Sequence, residues 1–292
     1  MRRLTFEVSP EFDGIKVKSF LRGYCGLSAR LLVKLKRQPN GLTANGVLVR
    51  TIDILHSGDI ICITMLDDDK QLEPNALPIR IAYEDEDVLV VDKPCDMPMY
   101  PSPGHDCDSL ANAVAAYFMD NGEKLAFRPV YRLDKDTSGF VVIAKNAYAA
   151  AKLAVTVKKE YTAICEGLLS GSCTIDSPIQ IKEGHSIQRK VGQNGVRAVT
   201  HWQANGSGKE HTLLTLCLET GRTHQIRVHL SHIGHPLAGD DMYGGSLRLI
   251  GRQALHCAQV SFLHPVTAKP ISLASTLPCD MEALAFACNF AK

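Results

Sequence analysis

A polar, proline-bearing break governs what this chain can fold into. Asp67-Asp68-Asp69-Lys70 runs on through Pro74 to Pro78 and makes a natural linker. It predicts a first unit over residues 1–66, a linker over 67–77 and a second unit over 78–292. Both units are long enough to bury cores of their own. No internal repeat or low-complexity tract competes with that division.

Charge separates the same two units. A formal net charge of +1 argues against a nucleic-acid partner, yet residues 1–50 hold 10 Lys/Arg against 3 Asp/Glu, a net of +7. The remaining 242 residues hold 22 against 28, a net of −6. Such asymmetry points to an electrostatic footprint on the N-terminal unit.

That unit has a readable shape. Ser28 can cap a helix through ARLLVKLKRQ that ends before Pro39-Asn40-Gly41. Arg30, Lys34 and Arg37 fall at i, i+4 and i+7 and line one stripe, while Leu31 and Leu35 can face a core. LTANGVLV reads as a hairpin, with Asn45-Gly46 suited to a type I′ turn, and Gly58-Asp59 precedes a strand, IICITM. Over residues 13–62 this order resembles the alpha-L RNA-binding domain, with the basic stripe facing RNA phosphates; a solvated amphipathic helix is the plainer alternative.

The hydrophobic content of 45%, with 22% charged residues, excludes a disordered chain. No apolar run approaches the ~18 residues that span a bilayer, and MRRLTFEVSPEFDG lacks a signal-peptide hydrophobic region, so a soluble cytoplasmic protein with no membrane partner is expected. Ten cysteines occur without a CxxC, which argues against a zinc ribbon or thioredoxin-type site. They read as reduced thiols, mostly small buried hydrophobes such as Cys62 and Cys217.

Beyond the linker, strand-like VLVVD, GFVVIAK and TLLTLCLE mix with fewer helical runs such as SLANAVAAYFM. The spacing lacks the regular strand–helix alternation of a doubly wound sheet. The expected class is α+β, with a mixed, largely antiparallel sheet.

In YRLDKDTSGFVVIAKN, a charged loop precedes a buried strand, a common catalytic layout. Two carboxylates this close also suit a glycosidase, but their separation of ~7 Å in an extended stretch does not assign the roles. Asp134 reads as the reactive group, and Asp136, followed by Thr-Ser-Gly, as the organiser of a turn.

A second dense segment, GRTHQIRVHLSHIGHPLAGDDMYGG, concentrates histidines without HExxH spacing, so no metal site is expected. Ile226, Val228 and Leu230 alternate with Gln225, Arg227 and His229. Part of the segment therefore reads as a strand, with Arg227 and His229 on one face.

With VDKPCDMPMYPSPGH, KKEYTAICEG and RQALHCAQVSFLHPVT, these blocks make the chain closely resemble the RluA family of RNA pseudouridine synthases, in particular members with an N-terminal alpha-L domain. The resemblance implies a pseudouridine-synthase-type catalytic domain and a cofactor-free isomerisation of uridine. The N–glycosidic bond breaks, the base rotates and C5 bonds to the sugar. It makes Asp134 the catalytic aspartate, as nucleophile or as base on the ribose. Tyr161 would stack on the uracil, with its hydroxyl able to assist proton removal at C5. Arg227 would pair with Asp134. Arg132 would fill the space left by the flipped nucleotide, and Leu255 would line the uracil pocket. His224 and His256 would make supporting hydrogen bonds.

The sequence departs from the family pattern in two places. Tyr131 stands where most members carry His before RLD, and the stretch before KKEYTAICEG is short. The expected substrate is large-subunit ribosomal RNA, with transfer RNA second; a monomer without an obligate protein partner is expected. The competing readings are a catalytically silent RNA-binding or ribosome-assembly factor and, more remotely, a metal-dependent hydrolase.

Overall fold

In the N-terminal unit, short-range signals become structure directly. A computed structural model describes residues 1–66 and 72–290, so residues 67–71 of the expected linker lie outside the described residues. The unit contains β1 (Arg2–Glu7), β2 (Ile15–Lys16), α1 (Val17–Ser19), α2 (Ala29–Lys36), β3 (Leu42–Ala44), β4 (Val47–Leu48), β5 (Ile54–Leu55) and β6 (Ile60–Met65). Ser28 caps α2, its side chain accepting the Leu31 N–H at 3.1 Å. Asn45 and Gly46 both have positive φ, 51° and 83°, as a type I′ turn requires between β3 and β4. Leu31, Leu32 and Leu35 enter a core shared with β1 and β6, leaving Arg30, Lys34 and Arg37 exposed. The four main strands form an antiparallel sheet in the order β1-β6-β3-β4.

This unit is fastened to the rest of the chain. Arg2 donates from Nε (2.9 Å) and Nη2 (2.7 Å) to the Asp87 carboxylate, which also accepts from Asn146 Nδ2 at 2.7 Å. The Tyr148 hydroxyl donates to the Cys25 carbonyl at 3.1 Å, and its ring belongs to the N-terminal core. Asn75 donates to the Cys107 carbonyl, and the Glu73 carbonyl accepts from Asn112, so the far end of the expected linker lies along the second unit.

The second unit holds β7 (Arg80–Glu84), β8 (Val88–Lys93), α3 (Leu110–Asp120), β9 (Ser138–Ala144), α4 (Ala147–Thr156), β10 (Lys158–Glu166), β11 (Ser172–Asp176), β12 (Ile179–Ile181), β13 (Arg189–Val191), β14 (Val199–Ser207), β15 (His211–Leu218), α5 (Gln225–His232), β16 (Leu255–Leu263), β17 (Pro270–Ala274) and α6 (Cys279–Ala287). Its main sheet runs β11-β14-β15-β10-β16-β9-β8-β7, with β17 also on β16. The expected α+β class is what forms. Described pairings are antiparallel except β16 with β9, which meet in parallel at His256–Ser138 and Cys257–Gly139. Gly139 has φ 111°, and a Cβ there would lie 2.3 Å from the Cys257 carbonyl oxygen, so only glycine fits this seam.

Two expectations fail here. The segment read as a strand is the helix α5, so Arg227 and His229 do not share a strand face. All residues from Gln225 to Leu230 are buried. Ile226 packs into the main core and Val228 into a separate cluster with Tyr243, so burial on several sides imitated a period of two. Cys217 is exposed, because β15 turns Leu214 and Leu216 inward and its neighbours outward. Cys62 is buried as expected, and five of the ten free cysteines are buried.

Candidate active site

The RLDKD loop leads into β9 at the parallel seam and is clamped through its main chain. Lys93 is fully buried, and its ammonium donates to the carbonyls of Pro94 (2.8 Å), Met97 (2.9 Å) and Lys135 (2.8 Å). Burial pushes its pKa down to about 7, against the opposing influence of Cys95, Asp136 and Asp134. From the other side, Arg252 Nη1 donates to the Asp136 carbonyl at 2.9 Å while its Nε and Nη2 hold Asp280 at 2.6 and 2.9 Å. The turn closes by a 3.1 Å bond from the Thr137 N–H to the Asp134 carbonyl. Asp136 plays a structural part in this turn: its carbonyl anchors the loop to Arg252, while the closing acceptor belongs to Asp134.

The Asp134 side chain is 26% exposed, open enough to meet a ligand. Arg227 Nη1 donates to its Oδ2 at 3.2 Å, so α5 and the loop bring together the pair expected from sequence. Sequence reasoning missed Asp240, which binds Arg227 twice, at 2.7 Å to Nε and 2.8 Å to Nη2. Burial alone would lower the arginine's pKa, but Asp240 and Asp134 more than offset this and raise it. The Arg227 guanidinium also lies 5.0 Å from the centre of the Tyr243 ring.

Tyr161 and Leu255 lie in the main core, and Tyr161 is near enough to Asp134 to feel its charge. Tyr161 on β10 stands opposite Cys257 on β16, is 5% exposed and shares the main core with Leu255, which opens β16. Burial raises the Tyr161 hydroxyl well above its ordinary pKa, with Cys257 and Asp134 adding to the rise, so it is a phenol at neutral pH. Tyr131 bonds to the Phe140 carbonyl at 2.8 Å, and Lys159 Nζ lies 4.2 Å from its ring centre. Arg132 is exposed, and its charge reaches Tyr100 on the rim, where Tyr100 and Phe127 meet edge to face at 5.3 Å. These two aromatics carried no signal in the sequence beyond their residue type.

Arg30, Lys34 and Arg37 are not brought to this place. Lys34 lines a cleft with Lys145, Asn146 and Ala147, just past the C-terminal end of β9. Asp134 precedes the other end, so the basic helix lies roughly 20 Å away at ~3.3 Å per strand residue.

The dense histidines also disperse. His229 bonds to Thr200 and the Ser177 carbonyl, His235 to the Glu166 carbonyl, and His256 to Ser138 and Ser275. Asp85, Asp87 and His264 offer ligand atoms within 4.8 Å of one another. Those atoms are engaged otherwise: His264 Nδ1 accepts from Val266 and Thr267, its Nε2 donates to Asp85, and Asp87 holds Arg2 and Asn146.

A mixed sheet with a main-chain-clamped aspartate, an arginine on that carboxylate and a buried tyrosine beside it defines a catalytic domain of the pseudouridine synthase type. The family model for RNA pseudouridylate synthase matches residues 87–232. The uncharacterized RNA pseudouridine synthase YjbO of Bacillus subtilis is 38% identical over 270 residues, covering 90% of this chain and 95% of that protein. Ribosomal large subunit pseudouridine synthase D of Xylella fastidiosa is 35% identical over 261 residues, covering 81% and 78%. The solved human RNA pseudouridylate synthase domain containing 1 has a TM-score of 0.57 at 26% identity, covering 70% of this chain and 86% of that one. The chain belongs to the RluA family of RNA pseudouridine synthases, among its RluD-like members. No described helix is long and apolar enough to cross a membrane.

Proposed function

We propose that this protein converts uridine to pseudouridine in large-subunit ribosomal RNA, with Asp134 as the catalytic carboxylate. The observation that carries this reading is the half-open Asp134 side chain held at 3.2 Å by buried Arg227. Binding RNA requires no such pair. The relatives named for the large ribosomal subunit, which align with most of the chain, support the choice of RNA.

The chemistry is an isomerisation whose atoms balance within the nucleotide. The N1–C1′ bond breaks, a C5–C1′ bond forms, the proton on C5 leaves and N1 gains one. Asp134 acts on the ribose, as nucleophile or as base, and Arg227 fixes its orientation. The Tyr161 ring and Leu255 receive the uracil. Flipping a nucleotide costs a few kcal/mol, and exposed Arg132 fills the gap it leaves in the helix. The N-terminal unit, residues 1–66, supplies phosphate contacts through Arg30, Lys34 and Arg37.

The test is a map of pseudouridine across all cellular RNA in a deletion strain, complemented with wild type or with Asp134→Ala. Sites lost on deletion and restored by wild type alone establish the activity and name the RNA, ribosomal or transfer. With no paralogue acting on the same uridines, an unchanged map would replace this reading with that of a silent RNA-binding factor.

A further inference from the structure

A chain of hydrogen bonds runs from the β12–β13 hairpin to His224, which faces Asp134. Arg189 opens β13, and its N–H donates to the Tyr243 hydroxyl at 2.9 Å. Burial raises the pKa of that hydroxyl, so it keeps its proton, and His224 Nδ1 lies 2.8 Å away to accept it. The hydrogen of the imidazole is then on Nε2, which faces Asp134 Oδ2 at 3.8 Å. That is longer than a hydrogen bond, as pairs in unliganded sites often are before substrate tightens them. His224 sits at φ 57°, in the left-handed region that only a few per cent of non-glycine residues adopt. Strain of this kind persists where the surroundings dictate it. The hairpin itself is seated by Gln188, whose Nε2 donates to the Met242 carbonyl at 2.7 Å, and it carries Lys182, Arg189 and Lys190.

We propose that His224 is a positioning residue for Asp134, locked by the Tyr243 hydroxyl and through it by the Arg189 main chain, so that the seating of the basic hairpin is a condition of the catalytic geometry. This rests on Asp134 being the catalytic carboxylate. The groups that face the imidazole are Asp134, Asp240, Arg227, Arg189 and Tyr243. Burial lowers its pKa, Arg227 and Arg189 act in the same direction, and the two aspartates oppose them. The net is downward, and the ring is neutral at pH 7. Protonating it would place a second cation on Asp134 beside Arg227 and weaken the carboxylate as nucleophile or base.

The probe is total RNA labelled with [5-3H]uridine, taken from cells lacking the protein. Joining C5 to C1′ releases the tritium, and enzyme in excess gives a single-turnover rate across pH. Tyr243→Phe deletes the hydroxyl and keeps the ring beside Arg227. His224→Asn tolerates the left-handed backbone but is too short to reach Asp134. Each should slow the single turnover at least ten-fold while RNA affinity stays within two-fold. In Tyr243→Phe the acid limb of the rate profile should move to higher pH, because His224 loses the donor that opposes its protonation. In His224→Asn that limb should vanish. Wild-type rates in both variants, or an equal loss at every pH with an unmoved limb, would overturn the proposal. Failure of the wild type to release tritium would instead overturn the uridine-isomerase reading beneath it.

Discussion

Arg227 is held by Asp240 before it reaches Asp134: two of its nitrogens lie at 2.7 and 2.8 Å from Asp240, and a third at 3.2 Å from the Asp134 carboxylate. Asp240 is buried and fixes the plane of the guanidinium, so the bond to Asp134 is set by a residue closed off from solvent. Such a fork of parallel bonds gives direction as well as charge.

Asp240→Asn should therefore damage stability and catalysis together. It leaves a buried arginine partly uncompensated, a loss of about 3–5 kcal/mol where one partner of a buried pair is removed. Urea unfolding should show a lowered midpoint, and tritium release should fall even at temperatures where the variant is folded.

Asp134→Asn removes charge and keeps shape. Isomerisation should be abolished, while RNA affinity in a filter-binding titration stays within a few-fold. Retained turnover would remove Asp134 from the role given to it.

Gly139→Ala should be severely destabilising. The added methyl would meet the Cys257 carbonyl oxygen at 2.3 Å in a backbone with φ 111°, and neither strand can retreat without breaking the β9–β16 pairing. The expected outcome is loss of soluble protein, or a lowered melting temperature in whatever folds.

Lys93 makes stability depend on pH. Its folded pKa is about 7, against ~10.4 for an unfolded lysine. Between those values the unfolded chain binds the extra proton, so stability rises with pH. The slope from this group approaches roughly 1.4 kcal/mol per pH unit between them and vanishes below about 7, where both states are protonated. Comparing wild type with Lys93→Met by denaturant unfolding at pH 7, 8 and 9 should isolate that slope; parallel curves would refute it.

Reversing charge at Arg30, Lys34 and Arg37 should weaken RNA binding and reduce its salt dependence, because each phosphate contact contributes close to one unit of the log–log slope. Since α2 lies roughly 20 Å from Asp134 along β9, the single-turnover rate at saturating RNA should be unchanged.

How much of this was readable depended on the range of the forces involved. The Ser28 cap, the Asn45-Gly46 turn and the strands β8, β9 and β15 are set by neighbours in the chain, and the sequence shows them. Asp134 and Arg227 were legible from the motifs around them. Helix α5 was not, because its burial on several sides erased the amphipathic period and left Ile226 and Val228 looking like a strand face. Asp240 carried no such signal, because its partner Arg227 is fixed only by the fold that returns it to α5. Lys93 and Arg252 stood inside recognised blocks, but their work is to bind main-chain carbonyls, and carbonyls leave no trace in a sequence.

The contacts Arg2–Asp87 and Tyr148–Cys25 fuse the N-terminal unit to the frame that carries Asp134. In the function proposed above, an RNA gripped by α2 is presented to the Asp134 carboxylate at a set reach. On that proposal the protein is a caliper: a uridine qualifies first by its distance from the gripped backbone, and only then by fitting the pocket.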